Sequence, residues 1–165
     1  MPDERPNAAQ LYRSLAAPVL GYLRAQRVPE PEDVVGEVFL QVARDMGRFR
    51  GDEAALRRWV FSIAHNRAID AHRRSLRHRA SSESGHVGRG EPVAVAGTPA
   101  DAVDPTLVEA LSTLSADQRE VVVLRFVADL PLETVARITR RKVGAVKALQ
   151  HRALDNLRRV VPPPD

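Results

Sequence analysis

The segment 130–159 constrains what this chain can fold into more than any other part of the sequence. Apolar residues recur there at three- and four-residue steps, which predicts two helices joined by a tight turn, one around Val135 and one from Val143. Asp155 is the only acid of the segment after Glu133. The positions between the apolar stripes are basic and comprise Arg140, Arg141, Lys142, Lys147, Arg152, Arg158 and Arg159.

A narrow apolar face that seats one helix on another, with a basic face outside, is typical of a helix that enters a DNA major groove. The alternative is a solvated amphipathic hairpin, since a run of charge is often only a solvent-exposed face. The remainder of the chain bears on this choice.

The composition indicates a helical protein of one domain or two small ones. The chain has 165 residues, of which 44% are hydrophobic and 28% charged. The one β-branched run, 121–124, lies among helix-forming residues, so we expect an all-α fold. The absence of cysteine excludes disulfides and thiolate metal sites.

Charge is distributed unevenly along the chain. The segment 30–53 holds seven acids against three arginines, whereas the segment 67–79 holds five arginines against Asp70. One acidic surface and two basic surfaces suggest a protein partner as well as a polyanion.

Helix signals divide the chain into two units. Asn7 is placed to cap a first helix, and a long helix is expected from about Glu53 to Arg79. Residues 81–104 are rich in Gly, Ser and Pro without a period, which predicts a flexible linker. Ser115 and Gln118 form a capping box at the start of a later helix. We therefore expect two domains, residues 7–80 and 105–160.

No pattern of enzyme chemistry is present in the sequence. The five histidines never fall at the i, i+4 spacing of a helical metal pair, and there is neither a Gly-rich phosphate loop nor a nucleophile elbow. We expect no catalytic activity, no metal, no cofactor and no small-molecule substrate. The N-terminus lacks the features of a signal peptide and no apolar run reaches a membrane span, so a cytoplasmic location is expected.

Two sets of segments resemble a known family. EDVVGEVFLQVARDMGRFRGD (32–52) with LRRWVFSIAHNRAIDAHRR (56–74) is similar to domain 2 of the extracytoplasmic-function (ECF) sigma factors of the sigma-70 family. LSTLSADQREVVVLRFVADLPLETVARI (111–138) with VGAVKALQHRALDNLRR (143–159) is similar to their domain 4. The resemblance covers about residues 8–80 and 105–160, in the order that the family has.

The resemblance implies two small helical domains joined by a flexible linker, in a subunit that directs bacterial RNA polymerase to promoters. In the family, an acidic helix of domain 2 binds the coiled coil of the polymerase β′ subunit, and domain 4 contacts the β flap, here through the region 121–127. An anti-sigma factor is a further expected partner. The β′-binding positions correspond to Asp33, Glu37 and Gln41.

The resemblance also assigns DNA-binding positions. In domain 2, a loop captures a flipped base of the minus-ten element and the helix after it holds the melted strand; the matching residues are Phe49, Arg50, Gly51, Asp52, Asn66, Arg67, Arg73 and Arg74. In domain 4, the second helix of a helix-turn-helix reads the minus-35 major groove. The matching residues, with those expected near phosphate, are Arg140, Arg141, Lys142, Lys147, Gln150, His151 and Arg152.

The turn of the helix-turn-helix departs from the family pattern. Relatives usually have Gly, an apolar residue and a Ser cap there, whereas this chain has Arg140, Arg141 and Lys142. The turn must therefore reach its backbone angles without glycine, and the second helix lacks a side-chain cap.

Two other functions remain open on the sequence. One is a free-standing transcriptional regulator that binds duplex DNA through the segment 130–159 without polymerase. The other is a helical adaptor that binds only protein. The acidic segment 31–49 argues against the first, and the basic runs at 67–79 and 140–159 argue against the second.

Overall fold

The computed structural model of the chain describes residues 6–81 and 105–163. The first stretch forms three α-helices, α1 (Ala8–Ala25), α2 (Pro31–Asp45) and α3 (Glu53–Ser81), which pack on one another in pairs. The second forms α4 (Pro105–Ser112), α5 (Ala116–Val122), α6 (Leu132–Thr139) and α7 (Val143–Val160). No strand is present among these residues, which confirms the all-α prediction. The predicted linker, except for Ser81 at the end of α3, lies outside the described residues.

The starts of the helices follow the local sequence signals. The Asn7 side chain accepts a hydrogen bond from the Gln10 amide at 2.8 Å, and the Gln10 side chain accepts one in return from the Asn7 amide at 3.0 Å. Ser115 and Gln118 form the same reciprocal pair at the start of α5, as the sequence predicted. Pro31 is the first residue of α2. A backbone N–H at that position would have no partner within the helix, so the lack of one in proline costs no hydrogen bond.

A tight loop joins α2 to α3 and fixes the position of the aromatic Phe49. A short 3-10 helix, Met46–Arg48, follows α2, and Asp52 then caps α3 by accepting a hydrogen bond from the Ala55 amide at 2.8 Å. Gly51 has a φ of 150°, and a Cβ there would lie 2.8 Å from the Cβ of Ala55 and 3.1 Å from Phe49 Cζ. Only glycine meets both the backbone angle and the close approach.

The β-branched run 121–124 is fully helical and lies in the core. α5 ends at Val122, and a π-helical turn, Val123–Val127, carries the chain onward. This wider turn buries Val123 and Leu124 but leaves Phe126 52% exposed and Val127 39% exposed. The region 121–127 is therefore made of two elements, and only its C-terminal end is exposed to solvent.

The turn between α6 and α7 adopts a left-handed conformation without glycine. Arg140 has a φ of 54° and a ψ of 43°. The Arg141 amide donates to the carbonyl of Ala136 at 2.9 Å, which closes the C-terminus of α6. Lys142 occupies the position before α7 and its side chain makes no capping hydrogen bond there. Both consequences drawn from the sequence of this turn are confirmed.

Three polar side chains connect the two units where they meet. Tyr22 of α1 is fully buried, and its hydroxyl donates to Glu120 Oε1 of α5 at 3.3 Å. The same hydroxyl lies 3.1 Å from Nδ1 of His65 in α3, and that nitrogen lies 2.9 Å from Glu120 Oε1. Close by, the Arg57 guanidinium donates to the carbonyl of Ala128. We call Tyr22, His65 and Glu120 the seam cluster.

The apolar core continues across this junction. Buried residues of both units belong to one contiguous cluster, from Leu11 in α1 to Ala153 in α7. Leu107 of α4 is 42% exposed, because this short helix contacts the unit along its other side. Trp59 is only partly buried, because it packs at the edge of the core against Phe49.

Replacing Arg140 by glycine should stabilise the protein. A left-handed residue with a Cβ is strained by about 1–2 kcal/mol, and the greater flexibility of unfolded glycine offsets part of the gain. We expect Arg140→Gly to increase the free energy of unfolding by about 0.5–1 kcal/mol, measured by thermal and urea unfolding. Arg140→Ala, which removes the same charge but keeps the Cβ, is the control, and an equal gain in both variants would exclude the backbone explanation.

The seam cluster should weaken at alkaline pH. Burial, together with the charge and hydrogen bond of Glu120, raises the pKa of Tyr22 well above its ordinary value of 10.0. The unfolded chain therefore loses this proton first, and the stability from the neutral phenol declines as the pH rises above about 10. Urea unfolding at several pH values should show wild type losing up to about 1.4 kcal/mol per pH unit more than Tyr22→Phe. Equal slopes would contradict the prediction.

Candidate nucleic-acid interface

The exposed face of α7 presents cationic and polar side chains to solvent. Lys147, His151 and Arg152 are all exposed and lie on neighbouring turns of the helix. His151 Nε2 lies 3.3 Å from Asp155 Oδ2, and Arg152 Nε donates to the carbonyl of Ala148 at 3.3 Å. Within the described residues Lys147 has no ion-pair partner. This face therefore carries uncompensated positive charge, which suits a helix that enters a DNA groove.

The residues that flank this face differ in their availability. Arg140 and Lys142 are exposed. Arg141 instead pairs with Asp117 at 2.7 Å, which ties the turn to the first turn of α5. Gln150 is half-buried, and its Oε1 has no hydrogen-bond partner among the described residues. Of the minus-35 positions implied by the resemblance, Arg141 and Gln150 are thus turned toward the protein.

The loop before α3 holds an aromatic stack. The rings of Phe49 and Trp59 lie 5.1 Å apart between centroids at an interplanar angle of 22°. Arg50 is exposed, and its Nη1 donates to the carbonyls of Gly47 and Phe49 at 3.1 and 2.8 Å. Asp52 is exposed but its carboxylate caps α3. A flat, half-exposed aromatic beside a cation suits the stacking of an unpaired base.

Two cavities meet at Phe49. One, of about 770 Å³, lies between the start of α1 and the loop. The other, of about 360 Å³, lies between this loop and α6. The lining of the larger cavity includes Gln10, Ser14, Met46, Phe49, Arg50 and Asp52, and that of the smaller one Phe49, Arg50, Arg58, Trp59, Ser62, Arg137 and Ile138.

The acidic face of α2 and the basic face of α3 are paired with each other. Glu37 Oε2 lies 3.8 Å from Arg67 Nη1 and 3.5 Å from Arg74 Nη2, and Arg67 Nη2 donates to Gln41 Oε1 at 2.9 Å. Asp33 is exposed on the same helix. Two of the residues assigned to polymerase, Glu37 and Gln41, therefore form one network with two residues assigned to the melted strand, Arg67 and Arg74.

Asn66 and Arg73 stand outside that network. Both are exposed, and neither side chain makes a hydrogen bond or ion pair within the described part of the chain. They are available to a ligand along the outer side of α3.

Three side chains at the smaller cavity were not predicted as site residues. Arg58 and Arg137 contribute cations from α3 and α6, and Trp59 forms the aromatic wall through its stack with Phe49. The sequence contained a signal for Arg58, because it stands in a basic pair directly before the tryptophan. No local pattern indicates Arg137, since its place depends on how the two units meet.

Two negative findings apply to the described residues, 6–81 and 105–163. No group of three or more His, Cys, Asp or Glu side chains is arranged to hold a metal ion. No helix there is long and apolar enough to span a membrane.

Comparison with known families matches both units. The family model described as Sigma-70 region 2 matches residues 10–78, and the one described as Sigma-70, region 4 matches residues 110–159. Among solved structures, the sigma factor RpoE in complex with the anti-sigma factor NepR from Bartonella quintana superposes with a TM-score of 0.72 at 23% identity, covering 92% of this chain and 94% of that chain. That likeness shows the shared fold.

Curated relatives are similar over most of this chain. The ECF RNA polymerase sigma factor BldN of Streptomyces coelicolor is 32% identical over 146 residues, which is 86% of this chain and 54% of the relative. The ECF RNA polymerase sigma factor SigD of Mycobacterium tuberculosis is 34% identical over 77% of this chain and 61% of its own length. This chain thus spans little more than half the length of these two relatives.

A third relative is matched over more of its length. The RNA polymerase sigma factor CarQ of Myxococcus xanthus is 31% identical over 134 residues, which is 79% of this chain and 74% of the relative. With both sigma-70 regions in order and relatives at this identity, the chain belongs to the extracytoplasmic-function group of the sigma-70 family.

Proposed function

We propose that this chain is an alternative sigma factor, the promoter-specificity subunit of bacterial RNA polymerase. It binds the core enzyme and directs initiation at promoters with minus-35 and minus-ten elements. What supports this proposal is that a chain of this family has two separate surfaces suited to nucleic acid, the exposed basic face of α7 and the aromatic stack of the Phe49 loop. The chain itself catalyses no reaction and acts in the cytoplasm.

Domain 4, residues 105–160, reads the minus-35 duplex through α7. Lys147 and His151, one turn apart, and the adjacent Arg152 are all exposed and are assigned to the groove. Arg140 and Lys142 lie at its start, where cations neutralise phosphates. Arg141 and Gln150 have the lesser role in this assignment, because one is paired and the other is half-buried.

Domain 2, residues 7–80, captures the minus-ten element. A base flipped out of the stack has to be enclosed for the unstacking energy to be recovered. The 770 Å³ cavity beside Phe49 offers that enclosure, with Arg50, Gly51 and Asp52 at its margin. Asn66 and Arg73 extend the contact along α3, and the paired arginines, Arg67 and Arg74, join it when Glu37 is engaged elsewhere.

Three contacts with protein partners follow from the proposal. Asp33, Glu37 and Gln41 meet the β′ coiled coil of the polymerase core. The exposed Phe126 and Val127 meet the β flap, because they are the part of the 121–127 region that the core leaves free. An anti-sigma factor is a third partner, in keeping with the complexes of RpoE with NepR and of CnrH with the cytosolic domain of CnrY.

Lys147→Ala should weaken binding to the minus-35 duplex. If Lys147 contacts a base edge, we expect a loss of about 1–3 kcal/mol, measured by fluorescence anisotropy with a promoter fragment at fixed salt. Arg159→Ala removes the same charge from the last turn of α7 and is the matched control. Equal losses of binding free energy for both variants would show that Lys147 contributes only general electrostatic attraction.

Asp33→Lys should impair binding to core polymerase. Asp33 is exposed and has no partner within the described residues, so its charge can be reversed without breaking the Glu37 network. We expect at least tenfold weaker core binding, about 1.4 kcal/mol, with minus-35 binding unchanged. Glu109→Lys, which reverses an exposed acid on α4, is the control. Retained core binding in Asp33→Lys would refute the acidic-face assignment.

The function is tested by run-off transcription with core polymerase on a genomic fragment library, with and without this chain. The proposal requires new start sites that share two spaced upstream motifs. Duplex binding without core association would instead support the free-standing regulator, and core association without new starts would support the protein-only adaptor.

A further inference from the structure

The helix α7 packs on the rest of its unit through a small apolar face. Of its 18 residues, Val146 and Ala153 are buried, and Leu149 and Leu157 are partly buried beside them. Apolar contacts are non-directional, so this narrow face determines where α7 lies more firmly than how it is oriented. Polar contacts therefore contribute to the orientation in which α7 presents its basic face.

The first turn of α5 contacts α7 near both of its ends. Asp117 Oδ1 lies 2.7 Å from Nη2 of Arg141, which comes just before the start of α7. Gln118 Oε1 accepts a hydrogen bond at 3.3 Å from Nδ2 of Asn156, in the C-terminal part of α7. At about 1.5 Å per residue, the two contacts are about 20 Å apart along the helix. Two contacts separated in this way resist pivoting and fix the direction of α7.

Arg141 also closes the turn between α6 and α7. Its amide donates to the carbonyl of Ala136 at 2.9 Å, while its side chain reaches Asp117. One residue earlier, Arg140 has a φ of 54°, a strained angle for a residue with a Cβ. Such strain persists only where surrounding contacts determine the backbone. The side chains of Arg140 and Lys142 make no hydrogen bond or ion pair within the described part of the chain, so Arg141 provides the side-chain contact that holds this turn.

The surroundings of Arg141 suit a contact within the protein better than a contact with phosphate. Its side chain is 33% exposed, and its Nε is buried without a hydrogen-bond partner among the described residues. An arginine that binds phosphate presents a pair of N–H groups to the ligand. Here one of the N–H groups is enclosed by the unit and Nη2 is engaged by Asp117.

From these observations we infer that Asp117 is a positioning residue for minus-35 recognition: through Arg141 it holds the glycine-free turn and fixes the orientation of α7. The inference rests on the proposed function, because it concerns how α7 is presented to the duplex. It assigns Asp117 and Arg141 to the support of the groove-facing residues and not to contact with DNA.

The sign of the effect of Asp117→Asn on duplex binding tests the inference. Removal of an acid from a DNA-binding unit ordinarily strengthens binding, because it removes repulsion of the phosphates. A positioning role predicts the opposite, about three- to fivefold weaker binding at fixed salt to the promoter fragment that run-off transcription identifies, the effect of losing one well-formed ion pair. Asp117→Glu keeps the carboxylate and should bind within about twofold of wild type. Equal or tighter binding by Asp117→Asn would overturn the inference and make Arg141 a phosphate contact that Asp117 masks.

Glu133→Gln is the matched control. Glu133 is the second residue of α6, as Asp117 is of α5, and both are exposed, so each acid interacts similarly with the dipole of its own helix. Glu133 differs in having no ion-pair partner within the described residues. Glu133→Gln should bind the promoter fragment at least as tightly as wild type. A loss equal to that of Asp117→Asn would overturn the inference.

Arg140→Gly tests whether Asp117 acts through the turn. Glycine adopts a positive φ without strain, so the turn should then depend less on the ion pair. Combined with Arg140→Gly, Asp117→Asn should weaken binding by about twofold or less, whereas combined with Arg140→Ala, which keeps the Cβ, it should retain its full effect. Equal losses in the two backgrounds would overturn the inference.

Amide hydrogen exchange on the free chain separates this result from the proposed function. The amides of Arg141 and Val146 donate to the carbonyls of Ala136 and Lys142, and both should exchange several-fold faster in Asp117→Asn than in wild type. That change in a chain that directs no new start sites would retain the positioning role and reject the sigma function. New start sites with wild type, combined with unchanged exchange in Asp117→Asn, would retain the sigma function and reject the positioning role.

Discussion

The continuity of the apolar core across the two units is the constraint on which the rest of the structure depends. Each unit is small, and small helical units bury a modest fraction of their surface. α4, α5 and α6 have only seven or eight residues each and would be marginal as isolated helices. They acquire their stability by packing, and the core they share with α1 and α3 sets where the recognition helix, the loop and the acidic face lie.

Polar groups at the junction fix the position of one unit relative to the other. Apolar contacts alone tolerate several ways of sliding one helical unit over another, because they are non-directional. The contacts of the seam cluster form in only one relative position of the two units, because a single carboxylate oxygen has to reach a phenol and an imidazole on two different helices. The backbone contact from Arg57 to Ala128 reinforces the same position.

Local sequence signals specified most of the individual elements. Capping residues such as Asn7 and Ser115 act within one turn of a helix, so their effect can be deduced without the tertiary structure. The same holds for the turn at Arg140, whose left-handed angle follows from the chain having to reverse where no glycine is present. The all-α fold was predictable for this reason.

The candidate site was less predictable because its geometry joins residues distant in sequence. The pairing of Glu37 with Arg67 and Arg74 spans two helices, and periodicity shows which face a residue occupies but not what lies opposite. The resemblance assigned Gln150 to the DNA groove, whereas packing leaves it half-buried. Arg137 had no local signature at all, since its role exists only where α6 meets the loop.

The network on α2 and α3 makes two binding events thermodynamically linked. Glu37 pairs with two guanidiniums of α3, and any ligand that binds its carboxylate leaves those two cations without a neutralising partner. Their affinity for phosphate rises accordingly, and phosphate bound there raises the availability of Glu37 by the same factor, because coupling free energies are reciprocal. In the proposed function, single-stranded nucleic acid would therefore bind weakly to the free chain and more tightly once Glu37 is engaged by a protein partner.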